Sequence, residues 1–93
     1  MPLRLYARSE VLRLLAIGED LLATLAEEQI VVEQAGGYSR EDLERIRVAH
    51  ELADLGVNAA GLGVILEMRA HWLTERRELL DIIEKLRDKL PQK

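Results

Sequence analysis

The stretch Gly18-Glu-Asp-Leu-Leu-Ala-Thr-Leu-Ala-Glu-Glu-Gln29 decides how this chain is interpreted, because it combines a helical pattern with charge of one sign. Its leucines recur at helical spacing, so we expect one short helix with one buried face. Its charged residues are Glu19, Asp20, Glu27 and Glu28, and it contains no Lys or Arg. The excess of acid extends further, since Leu14 to Ser39 holds five carboxylates and no basic residue.

The composition predicts a small, folded, helical protein. The chain has 93 residues, of which 48% are hydrophobic and only 3% aromatic, so its core must be aliphatic. Abundant Leu, Glu, Arg and Ala with few Gly and Pro favour helices over sheets. The formal net charge of -4 argues mildly against nucleic acid as the partner.

The absence of Cys removes disulfides, thiolate metal sites and cysteine nucleophiles together, and is typical of a reducing cytoplasm. The first residues lack the apolar core of a signal peptide. No uninterrupted apolar run approaches the roughly 20 residues of a membrane span. We therefore expect a cytoplasmic protein with no membrane partner.

Helix-start signals divide the chain into four predicted helices. Ser39 and Asn58 are strong N-terminal caps, Gly18 is a moderate one and Ala7 a weak one. The helices are predicted over residues 8–16, 18–29 and 40–55, and from residue 59 to as far as residue 90. Ile17-Gly18 is the predicted tight turn between the first two.

A minimal β wing is predicted between the second and third helices. Ile30-Val31-Val32 is β-branched and too short for a helix, so it is interpreted as a small strand. Gly36-Gly37 turns the chain, which allows Tyr38 to close a two-stranded wing.

The last helix carries an apolar seam with 3-4 spacing, interrupted by Arg69 and Arg76. An apolar face on so small a domain must be buried against another surface, and pairing with a second copy is the preferred prediction. A break near residues 69–74, which would give an antiparallel hairpin, is the alternative. The predicted dimer interface comprises Ile65, Trp72, Leu79, Ile83, Leu86 and Leu90.

The order of these elements resembles the MerR superfamily over about residues 5–66. The resemblance rests on Gly-Tyr-Ser-Arg-Glu-Asp-Leu-Glu-Arg-Ile-Arg at 37–47 and on Leu-Gly-Val-Asn at 55–58, together with the helix, glycine turn, helix and short wing before them. It implies an all-α, MerR-like winged helix-turn-helix module over residues 1–57. Residues 58–93 would then form a long C-terminal dimerisation helix of coiled-coil type.

Two departures from MerR regulators point to a protein partner. Those regulators carry Arg-Tyr-Tyr in the second helix and Arg in the wing, to contact the DNA backbone. This chain has Ala23-Thr24-Leu25 and Glu33-Gln34-Ala35-Gly36 instead, so both devices are absent. Such a small acidic body, with its Tyr-Ala-Arg-Ser-Glu-Val opening at 6–11, resembles the chaperone-modulator family typified by CbpM.

The second resemblance implies a function. Members of that family are dimers that bind the J-domain of a DnaJ- or CbpA-like co-chaperone and inhibit its action with DnaK. J-domains present a basic helix, which an acidic helix can cover. The partner-binding residues predicted on this basis are Glu19, Asp20, Thr24, Glu27 and Glu28.

Three other interpretations stay open at this point. A MerR- or HspR-type DNA-binding regulator would use Arg40, Arg45 and Arg47, which are interleaved with carboxylates. A purely structural dimer, or a toxin–antitoxin-like partner, is a second alternative, which recovery of a J-domain protein in a pull-down would exclude. The acidic helix is also compatible with an ordinary solvated face.

Neither catalysis nor a bound metal or cofactor is expected. Ser9, Thr24, Ser39 and Thr74 have no nearby base to activate them. His50 falls on an apolar helical stripe and His71 adjoins Trp72. Two isolated histidines without cysteine make no convincing metal site.

Overall fold

The structure is a computed structural model that describes residues 4–89, and within this range the fold is all-α. Its helices are α1 (Arg8–Leu15), α2 (Glu19–Glu27), α3 (Arg40–Asp54) and α4 (Ala59–Lys89). The predicted helices are confirmed in number and order over the described residues, with ends that differ by one or two positions.

The strongest caps begin the longest helices. At the start of α3, the Asp42 N–H donates to Ser39 Oγ at 3.1 Å, and the Ser39 N–H donates to the Asp42 carboxylate at 3.0 Å. At the start of α4, Asn58 Oδ1 accepts the N–H of Gly61 at 2.8 Å. Each cap satisfies amide groups that have no partner inside their helix.

The turn between α1 and α2 differs in detail from the prediction. Ala16, not Gly18, adopts the left-handed conformation, with φ of 52°, and α1 ends at Leu15. The Ile17 N–H donates to the Leu12 carbonyl at 3.1 Å, which closes the end of the helix. Ile17 then enters the core, so its burial fixes where the chain must turn.

The predicted strand at residues 30–32 is wrong. The amides of Ile30 and Val31 donate to the Leu25 carbonyl, at 2.9 and 3.4 Å, so they close α2 instead of joining a ladder. In place of the predicted wing, the described residues form two isolated antiparallel bridges. They join Tyr6 with Tyr38 and Gln34 with Gly37.

The core lies where all four helices and the segment between α2 and α3 meet. Its buried side chains are Val11, Ile17, Leu22, Leu25, Val31, Tyr38, Ile46, Ala49, Leu62 and Leu66. The first turns of α4 therefore complete the core of the module formed by the preceding residues.

Helix α4 continues without a break from Ala59 to Lys89, so the hairpin alternative is not adopted. Its 31 residues span about 45 Å, and every side chain from Thr74 to Lys89 is exposed. Leu90, the last predicted interface residue, lies outside the described residues. Among residues 4–89, no helix is both long and apolar enough to cross a membrane.

Candidate functional site

The outward side of α2 carries a stripe of acid. Successive helical residues are rotated by about 100°, so Asp20, Thr24 and Glu27 share one sector of the helix. Leu22 and Leu25 point the opposite way and are buried. Asp20, Glu27 and Glu28 are exposed, and Thr24 is half-buried between them. These four residues are called the acidic face below.

Glu19 does not belong to the acidic face. Its carboxylate accepts two hydrogen bonds from Arg8, at 3.0 Å from Nε and 2.5 Å from Nη2. Arg8 also lies 3.9 Å from the Glu33 carboxylate and donates to the Tyr38 hydroxyl at 3.3 Å. The structure therefore turns Glu19 towards α1, where a cation compensates its charge.

The pKa values in this cluster reflect that arrangement. The hydrogen bond from Arg8 to Glu19 raises the pKa of the guanidinium, against a smaller effect of desolvation. Burial raises the pKa of the Tyr38 phenol, and the charge of Glu33 raises it further. Around neutral pH the cluster thus holds a charged arginine and a neutral phenol.

The two ends of α2 differ in how well they tolerate acid. Glu19 and Asp20 lie in the first turn, where the helix dipole favours negative charge. Glu27 and Glu28 lie at the C-terminal end, where the dipole disfavours it, and the last turn holds no basic residue. Local helix stability therefore explains the first pair and does not explain the second.

Two of the three arginines that a DNA-binding function would need are already paired with other groups of the same chain. Arg45 donates to the Ile30 carbonyl at 3.1 Å. Arg47 pairs with Glu44 at 2.5 Å and with Glu51 at 2.6 Å. The hydrogen bond from Arg47 lowers the pKa of Glu44. Arg40, at the start of α3, is exposed, and so is Arg47 despite its two ion pairs.

A second exposed surface runs along α4. Ile65, Met68, Trp72, Leu79, Ile83 and Leu86 share a sector of about 60° and are called the apolar face below. Their exposed fractions lie between 38% for Ile65 and 66% for Met68. Val64, Leu80 and Ile82 widen the surface on its two sides. A contiguous exposed apolar surface is typical of an interaction site, so this face is a candidate for one.

The structure brings together the five predicted interface residues that it describes, and it adds Met68. The sequence pattern placed Arg69 on the seam instead, but Arg69 points to α3, 3.8 Å from the Glu44 carboxylate. Met68 lies three residues after Ile65 and four before Trp72, and this helical spacing could have predicted its place on the apolar face. Arg76 stays beside the seam, with its guanidinium 5.8 Å from the centre of the Trp72 ring.

Neither histidine belongs to a cluster of metal-ligating residues. His50 Nε2 lies 3.6 Å from Asp54, and His71 Nε2 lies 2.9 Å from Glu75, each one turn further along its helix. Within residues 4–89, no group of three or more His, Cys, Asp and Glu side chains is placed to hold a metal ion.

Comparison with known proteins gives no match: no protein-family model, no curated protein and no solved structure matches this chain.

Proposed function

We propose that this protein is a chaperone modulator with a MerR-like winged-helix body. In this proposal it binds the J-domain of a DnaJ- or CbpA-like co-chaperone through its acidic face and inhibits the action of that co-chaperone with DnaK. One observation carries the proposal: the exposed side of α2 presents carboxylates and no cation, at the place where a DNA-reading helix needs positive charge.

The order of the elements supports the proposed MerR-like body. Helices α1 and α2 are joined by the short turn at residues 16–18, and the loop that follows carries the two β-bridges. This arrangement supports a winged helix-turn-helix with a reduced wing. A helix in the second position would normally approach two rows of phosphates, which the acidic face would repel.

The physical basis of J-domain binding is charge complementarity. A basic helix is attracted to Asp20, Glu27 and Glu28, and this raises the association rate and selects the partner. Apolar contacts supply most of the affinity in such interfaces. The exposed side chains of Leu14 and Val32, on the segments before and after α2, are available for them.

The proposal includes a homodimer formed through the apolar face of α4. Burial of apolar surface contributes roughly 25 cal/mol per Å², so leaving this face in water is costly. We also propose that the protein acts in the cytoplasm and binds no cofactor, membrane or nucleic acid. The DNA-binding alternative has weaker support, because Arg45 and Arg47 are already engaged.

An ATPase assay tests the proposed function. Full-length co-chaperone stimulates DnaK in single-turnover reactions, and this protein is added in increasing amounts. We expect the stimulation to fall to the basal rate, while the rate of DnaK without co-chaperone stays unchanged. Unaltered stimulation at a tenfold excess of this protein over the co-chaperone would contradict the proposal.

A further inference from the structure

A groove opens between α3 and α4 at the point where α4 leaves the globular module. Helix α3 packs against the first turns of α4, and beyond Leu73 the side chains of α4 are exposed. The groove has a volume of about 300 Å³, and its floor is formed by Leu66, Ala70 and Leu73 of α4. Leu66 is buried, whereas Ala70 and Leu73 are half-buried. The site with this floor is called the α3–α4 groove below.

The rim of the α3–α4 groove carries more positive than negative charge. Its charged residues are Arg45, Arg69 and Arg77 together with Glu41 and Glu44. Glu44 is already compensated, because Arg47 pairs with it at 2.5 Å from outside the groove and Arg69 lies 3.8 Å away. The hydrogen bond from Arg47 lowers the pKa of Glu44, and the charge of Arg69 lowers it further. An incoming group therefore meets a net positive rim.

Two of the three arginines keep donors for a further acceptor. Arg77 is exposed and forms no ion pair with a carboxylate of residues 4–89. Arg45 donates one N–H, from Nη1, to the Ile30 carbonyl at 3.1 Å, and a guanidinium has five N–H groups. Guanidinium groups bind carboxylates through paired, charge-assisted hydrogen bonds. The groove thus combines an apolar floor with two guanidinium groups, one from each helix, that can each bind a carboxylate.

We infer that the α3–α4 groove docks an acidic peptide segment of a partner protein, with an apolar side chain on the floor and carboxylates at Arg45 and Arg77. This surface is separate from the acidic face of α2, so the inference does not rest on the proposed function and assigns a second partner of opposite charge. The groove also lies about 130° around α4 from the apolar face, at about 100° per residue. A homodimer formed through the apolar face does not use these residues.

Size and charge favour a peptide over other anionic partners. Pockets that enclose small molecules have volumes of roughly 300 to 1,000 Å³, so this open groove is at the small end and suits a few side chains of a larger partner. A nucleic acid brings a continuous row of phosphates, which Glu41 and Glu44 would repel. A peptide can place its carboxylates at the arginines alone and bury an apolar side chain against Leu66 and Leu73.

Selection from a phage-displayed library of random peptides tests the inference. The full chain is the immobilised target at physiological ionic strength, and the enriched peptides are then synthesised with a fluorophore and titrated with the protein by fluorescence anisotropy. We expect enrichment of peptides that combine Asp or Glu with large apolar residues. Arg77→Glu should weaken their binding by about tenfold or more, because an attractive charge becomes a repulsive one. Arg87→Glu is the matched control, another exposed arginine of α4 that does not line the groove.

The outcomes separate this inference from the proposed function. Acidic peptides whose affinity falls with Arg77→Glu and is kept with Arg87→Glu support the groove. Equal affinity for the two variants overturns the inference, and so does a selection that yields no acidic peptide. Basic peptides alone would also overturn it, and they would report on the acidic face of α2 instead. A random-sequence DNA duplex is titrated in parallel. If the duplex binds and Arg77→Glu releases it, while acidic peptides do not bind, the groove is a phosphate site and the inference is wrong.

Discussion

At the scale of single residues, Gly37 is a position where the backbone leaves no room for a side chain. Its φ is +120°, and a Cβ built there would lie 2.1 Å from the Tyr6 carbonyl oxygen. That carbonyl accepts the Tyr38 N–H at 2.8 Å, while the Tyr6 N–H donates to the Tyr38 carbonyl at 2.7 Å. This bridge holds the chain before α1 against the loop before α3, so a side chain at Gly37 must separate them.

We therefore predict that Gly37→Ala destabilises the protein by about 2 kcal/mol or more, because strain in the backbone adds to loss of the bridge. Urea unfolding followed by circular dichroism measures the change. Gly18→Ala is the matched control, since its φ is negative and nothing lies within 4 Å of the added Cβ. Equal stability of the two variants would contradict this role of Gly37.

A second prediction at the residue scale concerns Glu44 and acid. Arg47 lowers the pKa of Glu44 in the folded protein. A group with a lowered folded pKa contributes stability above its unfolded pKa, about 4.3 for Glu, and loses it as the pH falls through the folded value. Glu44→Gln should therefore lose less stability between pH 7 and pH 3 than the unmodified protein does.

The control for this acid effect is Glu78→Gln, on the exposed second half of α4, where no ion pair involves the residue among those described. It should follow the unmodified protein through the same pH range. The effect at Glu44 is small, since the pair is largely exposed and screened by solvent. Parallel pH profiles for the two variants would show that Arg47 does not stabilise the folded Glu44 carboxylate.

At the scale of elements, the sequence predicts a helix start well where a side chain closes it. Ser39 and Asn58 act through short local hydrogen bonds, so their effect is visible in the sequence. The end of α1 and the course of residues 30–32 depend on burial of Ile17 and Val31, which local pattern cannot reveal. Apolar β-branched residues are equally suited to a strand and to a loop that packs in the core. Here the segment forms a loop, with Val31 buried in the core.

Helix α4 shows the opposite case, in which periodicity predicted nearly the whole surface. The five predicted interface residues that the structure describes share one face because their spacing matches the helical repeat. Met68 was missed because the strict 3-4 pattern selected Arg69, whose charge instead pairs with Glu44 across the contact with α3. A pattern of apolar residues alone does not tell which side of the helix the rest of the fold already uses.

We predict that Leu79→Lys with Ile83→Lys converts the protein to a monomer without unfolding its core, because both residues lie beyond the globular module. Sedimentation equilibrium measures the mass, and thermal unfolding reports on the core. Asp81→Lys with Asp88→Lys is the matched control, on the opposite side of α4 and with the same number of added lysines. A pair of lysines on the apolar face that leaves the mass of a dimer unchanged would exclude this interface.

At the scale of the whole molecule, the sequence predicted an all-α fold and an acidic second helix, and both are present. It did not predict that Glu19 turns to Arg8, because that contact joins residues 11 positions apart in different helices. The acidic face therefore holds fewer carboxylates than the sequence of α2 suggests, because Glu19 is not part of it. The proposed recognition of a basic partner rests on Asp20, Glu27 and Glu28, with Thr24 between them.

The measurement that tests the central claim most directly is a calorimetric titration of this protein with an isolated J-domain. We expect saturable binding, and we expect Asp20→Lys, Glu27→Lys and Glu28→Lys together to weaken it by at least tenfold, because three attractive charges become repulsive. Glu67→Lys, Glu78→Lys and Asp81→Lys together give the same change in net charge on α4 and should bind as the unmodified protein does. Equal affinity of the two triple variants, or no binding by the unmodified protein, would contradict the account.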